Sequence, residues 1–75
     1  MADEMVSLSY PRDDYPPGQD REKWATLVWG VWKPNVISSE EEASMLYALW
    51  QRGAITLRVN MVALRAEAKK RGMVP

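Results

Sequence analysis

The 75-residue chain contains no cysteine and no histidine. The first absence excludes disulfide bridges, and the two together remove the common zinc ligand sets. They also remove the usual nucleophile–base pairs, because there is neither a thiol nor an imidazole. Ser38 and Ser39 are the hydroxyls nearest to acidic groups, and their place before Glu40-Glu41-Glu42 suits helix capping better than catalysis. Three adjacent glutamates on a solvated first turn would not hold the divergent pKa values that acid–base chemistry requires. Glycine is sparse, and Gly30, Gly53 and Gly72 stand alone, so no phosphate-cradling loop is present. No loop has calcium-site spacing either. The expectation is a non-enzymatic protein with no cofactor, no metal and no small-molecule substrate.

Long apolar runs are missing too. None approaches the ~20 residues needed to span a bilayer. The opening Met1-Ala2-Asp3-Glu4 is acidic rather than basic and apolar, unlike a secretory leader. A soluble, cytoplasmic protein with no membrane partner is expected.

Net charge is zero but unevenly placed. Residues 1–50 carry nine acids and four bases, and residues 51–75 carry six bases and one acid. Such polarity suits head-to-tail contact between copies, or docking of the basic end on an acidic surface. Part of it simply matches helix dipoles.

What the chain does have is aromatic surface on a short polymer. Four tryptophans and three tyrosines occur in a chain able to bury only about 60% of its unfolded surface. Small domains commonly need an added staple, and with disulfides and zinc removed, association with another protein or a second copy is what remains. A monomer with a tight core is the plain alternative.

Residues 1–20 read as an extended, irregular arm preceding a single small domain over 21–75. Tyr10-Pro11-Arg12-Asp13-Asp14-Tyr15-Pro16-Pro17-Gly18 is too rich in proline for a helix or a central strand. Tyr10 and Tyr15 would anchor this arm on a neighbouring surface; a disordered tail is the alternative. Residues 24–32 are apolar at both parities. Their Val, Thr and Trp content favours a short strand or extended segment ending at Lys33-Pro34, with a helix as the competing reading. Trp24, Trp29 and Trp32 are candidate protein-interface residues; the alternative is that they form the core.

A helix over about 39–52 is signalled by Ser39 with Glu42 as a capping box, an apolar face of Ala43, Leu46, Tyr47, Leu49 and Trp50, and Gly53 as the stop. A second helix is expected over about 57–71, capped by Thr56, with Leu57, Met61, Leu64 and Ala68 on one stripe and Gly72 at its end. The short link between the two implies a helical hairpin or a helix-turn-helix, so the fold class expected is mainly α. In the helix-turn-helix version Arg58 would approach base edges and Arg65 and Lys69 would contact phosphates, making a small DNA-binding regulator. The lack of an overall basic excess weighs against it. A small inhibitor capping a host enzyme shares the features of a contact-making protein and is a further alternative.

From Trp29 onward, the order of features resembles the C-terminal region of tailed-bacteriophage portal proteins. The pieces are Val28-Trp29-Gly30-Val31-Trp32-Lys33-Pro34, Ser39-Glu40-Glu41-Glu42-Ala43, Leu49-Trp50-Gln51-Arg52-Gly53-Ala54-Ile55-Thr56, and Leu64 through Gly72. The resemblance implies a detached module or small accessory of a phage head or neck, with self-association, ring assembly and a DNA channel as its setting. A portal is several times longer, and none of its functional residues transfers to a position here.

Overall fold

The computed structural model describes residues 4–10 and 20–73. Within them the order is β1 (Met5–Leu8), α1 (Arg21–Val36), α2 (Glu40–Gln51), β2 (Leu57–Asn60) and α3 (Met61–Lys70). The expected mainly helical class holds, with the addition of a two-stranded antiparallel sheet. The proline-rich stretch 11–19 lies outside the described residues.

Three expectations are corrected. First, residues 24–32 are not a strand but the body of α1. Asp20 caps this helix, its carboxylate accepting from the Glu22 and Lys23 amides at 2.8 and 3.3 Å. Trp24, Leu27, Val28 and Val31 fall at the helical three–four spacing, which places apolar residues on both parities and mimics a two-faced strand. A strand apolar on both faces would also need cover on both sides that this chain cannot supply. Pro34 is accommodated in the last turn, and Ile37 closes the helix with its amide on the Lys33 carbonyl at 3.1 Å.

Second, Leu57 does not open a helix. Leu57 and Val59 are buried and Arg58 is exposed, the period-two alternation of a half-buried strand. The following helix is capped by Asn60 rather than Thr56: the Asn60 side-chain oxygen accepts from Val62 at 2.9 Å and Ala63 at 3.4 Å. Third, α2 and α3 do not form a hairpin. Helix α3 lies against α1 and β2, while α2 joins the body through its side chains.

The first part of the expected arm is extended, but it is a strand of the sheet. Met5, Val6, Ser7 and Leu8 face Asn60, Val59, Arg58 and Leu57 in antiparallel register. Glu4 continues the ladder, its carbonyl accepting from the Met61 amide at 2.8 Å. Its side chain accepts from both terminal nitrogens of Arg65, at 3.0 and 2.7 Å, pinning β1 to α3. That pair is half exposed, so it contributes at most about 1 kcal/mol.

The expected α2 helix is present, with the Ser39 half of the capping box formed. Ser39 Oγ accepts from the Glu42 amide at 3.2 Å, and Gly53 (φ 77°) ends the helix. The Gly53 amide donates to Trp50 O and the Ala54 amide to Leu49 O, both at 2.9 Å, which is the Schellman arrangement. Helix α3 ends identically, with Gly72 (φ 76°) donating to Lys69 O and Met73 to Ala68 O. Glycine is required at both because the left-handed backbone crowds any Cβ.

The core gathers Trp24, Ala25, Leu27 and Val28 of α1, Trp50 of α2, Leu57 and Val59 of β2, and Leu64 and Ala68 of α3. No buried charged or polar residue occurs among the described residues.

Candidate functional site

Five rings form a continuous aromatic cluster. Trp29 and Trp32, one helical turn apart on α1, lie 5.1 Å apart between centroids. Trp29 meets Tyr47 at 4.8 Å and stacks on Trp50 at 5.9 Å. Tyr47 reaches Trp50 at 6.1 Å, and Tyr10 meets Trp50 edge-on at 5.2 Å and 74°. Trp50 is fully buried, and its indole N–H donates to the Leu8 carbonyl at 3.2 Å. It is the hub joining α2, α1 and the end of β1. Burial raises the Tyr47 phenol pKa above its ordinary value, helped by the neighbouring Tyr10 and Glu22.

The outer rim of this cluster opens into a groove of about 500 Å³ between the C-terminal half of α1, the sheet and the start of α3. Val31, Trp32 and Val36 form its apolar wall, Met5 its far side, and Arg58 and Asn60 its polar edge. Val36 is 55% exposed and Met5 45%. Asn35, also on the rim, is held by a 3.0 Å bond from its side chain to the Val31 carbonyl. Arg58 has no ion pair with any described residue, so the groove pairs an apolar wall with one uncommitted positive charge.

The candidates from the sequence distribute as follows. Trp24 is a core residue, only 6% exposed. Trp29 is half-buried within the ring cluster, and Trp32 is half-buried on the groove wall. Tyr10 is half-buried against Trp50, and Tyr15 lies outside the described residues. Arg58 is on β2 rather than at a helix start, which corrects the expected recognition-helix position. Arg65 and Lys69 are exposed on α3, Arg65 being engaged by Glu4. The three bases therefore do not share one helix.

Val31, Val36 and Met5 were missed as groove residues. A signal for the first two was present in the three–four spacing that carries α1 past Trp32. Met5 could be placed only once β1 was paired.

Among the described residues there is no group of three or more acidic side chains positioned to hold a metal ion, and no helix long and apolar enough to cross a membrane. The geometry defines a class: a small, mainly helical protein with a two-stranded antiparallel sheet and a groove lined by aromatic and aliphatic side chains. No protein-family model, curated protein or solved structure matches the chain.

Proposed function

We propose that this protein acts by binding another protein, with the groove beside Trp32 receiving an apolar segment that carries an acidic residue. The observation that carries the reading is the union of Trp32, Val31, Val36 and Met5 in one concavity with Arg58, which has no ion pair among the described residues. A buried aromatic anchor beside a charge is the usual composition of an energetic centre in protein interfaces. An acidic group on the partner would meet Arg58 at the groove edge, where it sets orientation and specificity more than affinity. The resemblance to portal C-terminal regions supplies the setting: a structural or assembly role in a bacteriophage particle, with a neighbouring copy or a larger capsid or neck protein as partner.

The test is affinity capture from infected-host lysate with the wild-type chain, Trp32→Ala and Arg58→Glu side by side. A partner retained by the wild type and lost by both variants is expected, with helical circular dichroism unchanged. Capture that is indifferent to both substitutions refutes the groove as the binding site.

A further inference from the structure

The sheet ends in an open edge. In an antiparallel pair, hydrogen-bonded and non-hydrogen-bonded residue pairs alternate. The Met61 amide bonds the Glu4 carbonyl, so Glu4–Met61 is a bonded pair, and so by alternation are Val6–Val59 and Leu8–Leu57. The backbone N–H and C=O groups of Met5 and Ser7 therefore point away from β2. Strand β2 is the neighbour that β1 packs along, and no described strand covers its other side.

That edge lacks the features that discourage pairing. From Met5 to Ser9 it carries no charge and no proline. Its side chains are also incompletely covered. Val6 and Val59 are cross-strand partners on the same face, yet Val59 is 1% exposed and Val6 40%. The apolar face of the sheet stops one strand short.

We infer that β1 pairs antiparallel with β1 of a second copy, joining two sheets into one of four strands. The occupant must be a strand, because only a strand presents donors and acceptors at the spacing of Met5 and Ser7. A second copy is the strand always present, and with zero net charge there is no overall repulsion to keep copies apart. A two-fold axis between the two Val6 residues puts Met5 of each copy opposite Ser7 of the other, in bonded pairs. The two Val6 side chains then meet as a non-bonded pair on the core face and complete each other's cover. Such an isologous contact pairs the β1 edge of each copy and closes at two chains, with β2 of each copy outermost. The axis stands perpendicular to the sheet, so both grooves open on the same side and a repeated partner can be held at two points.

The inference rests on the contact-making reading above; the two share Met5, but the pairing uses the outward backbone edge of β1, and Val6 lines no part of the groove. The chain has no native cysteine, so engineered thiols report geometry without background. Cα atoms of a non-bonded antiparallel pair stand about 4.5 Å apart, within disulfide reach. Under mild oxidation Val6→Cys is expected to give a covalent dimer, while Val62→Cys, exposed on α3, stays mainly monomeric. Light scattering over a concentration series is expected to show the wild-type mass rising from one chain to two. Val6→Lys, which sets like charges directly across the axis, is expected to remain a monomer with the same helical content. Trp32→Ala is expected to dimerise as the wild type does even if it loses partner capture, so the two proposals fail separately. A wild-type monomer at every concentration, or cross-linking of Val6→Cys no faster than of Val62→Cys, overturns the pairing.

Discussion

Trp50 offers the sharpest test of how this fold is held. It is the largest fully buried side chain, it contacts Tyr10, Trp29 and Tyr47, and its N–H satisfies the Leu8 carbonyl. Because α2 has no extensive backbone approach to another element, the loss of Trp50 should release the helix as well as a ring. Truncating a core tryptophan to alanine costs about 3–5 kcal/mol, and a domain of this length has roughly 4–11 kcal/mol in all. Trp50→Ala should therefore lose from roughly a quarter to all of that stability. Trp50→Phe retains a ring but loses the indole bond and part of the packing, a cost of about 1–2 kcal/mol. With an m-value of about 1 kcal/mol per molar urea for a small domain, that loss lowers the midpoint by roughly 1–2 M. The assay is urea unfolding followed by far-ultraviolet circular dichroism, run dilute so that any self-association does not add stability. A double-mutant cycle with Tyr10→Leu should return a coupling of about 0.5–1.5 kcal/mol for the edge-on pair. A Trp50→Phe midpoint indistinguishable from wild type would refute the view that this indole ties α2 to β1.

Further outcomes follow from the caps and from the Tyr47 phenol. Asn60→Ala should cost about 0.5–2 kcal/mol by removing the α3 cap, whereas Thr56→Ala should change stability little; chemical unfolding of both variants tests the corrected helix start. The Tyr47 phenol is held protonated in the fold, so the unfolded chain loses its proton first as pH rises. Its contribution is complete below the ordinary phenol range, near ~10, and is lost as pH climbs through the higher folded value. Stability should therefore decline on the alkaline side, and Tyr47→Phe should lack that component; unfolding midpoints across alkaline pH check it.

The legible parts of the fold were those whose signals are local. Ser39, Glu40-Glu41-Glu42 and Gly53 marked both ends of α2 because capping hydrogen bonds span only a few residues. Gly72 marked the end of α3 for the same reason. The errors arose where one pattern serves two structures. Leu57 and Met61 are four apart, which suits a helical stripe, but Leu57 and Val59 are two apart, which suits a strand. Asn60, a strong cap, separated the cases and was read as interior. In α1, tryptophan and valine favour a strand by propensity, but Asp20 before Arg21-Glu22 was a helix-start signal. Strand β1 was hidden for a different reason. Four residues of modest character become a strand only by pairing with β2, about fifty positions away, and no local rule contains that contact. The groove inherits the same difficulty, since Met5, Trp32 and Arg58 meet only after the long-range pairing is made.

A chain this short must decide where its insufficient core runs out, and the apolar residues left outside show where. Trp24, a candidate interface residue whose alternative was the core, is consumed by the core. Among the described residues, the large apolar side chains left exposed are aliphatic: Met5 and Val6 on β1, Val36 at the end of α1, Val62 on α3 and Met45 on α2. Single exposed aliphatics need no explanation. Met5 and Val36 differ because they line one concavity with Trp32 and Arg58, and Val6 differs because its cross-strand partner is almost wholly buried. Met45, 58% exposed on a helix opened by three glutamates, belongs to neither group and acts as an internal comparison. Exposure alone does not make a contact. Shape around Trp32 and unsatisfied backbone beside Val6 are what separate those positions from Met45, and the contact-making reading stands on that difference.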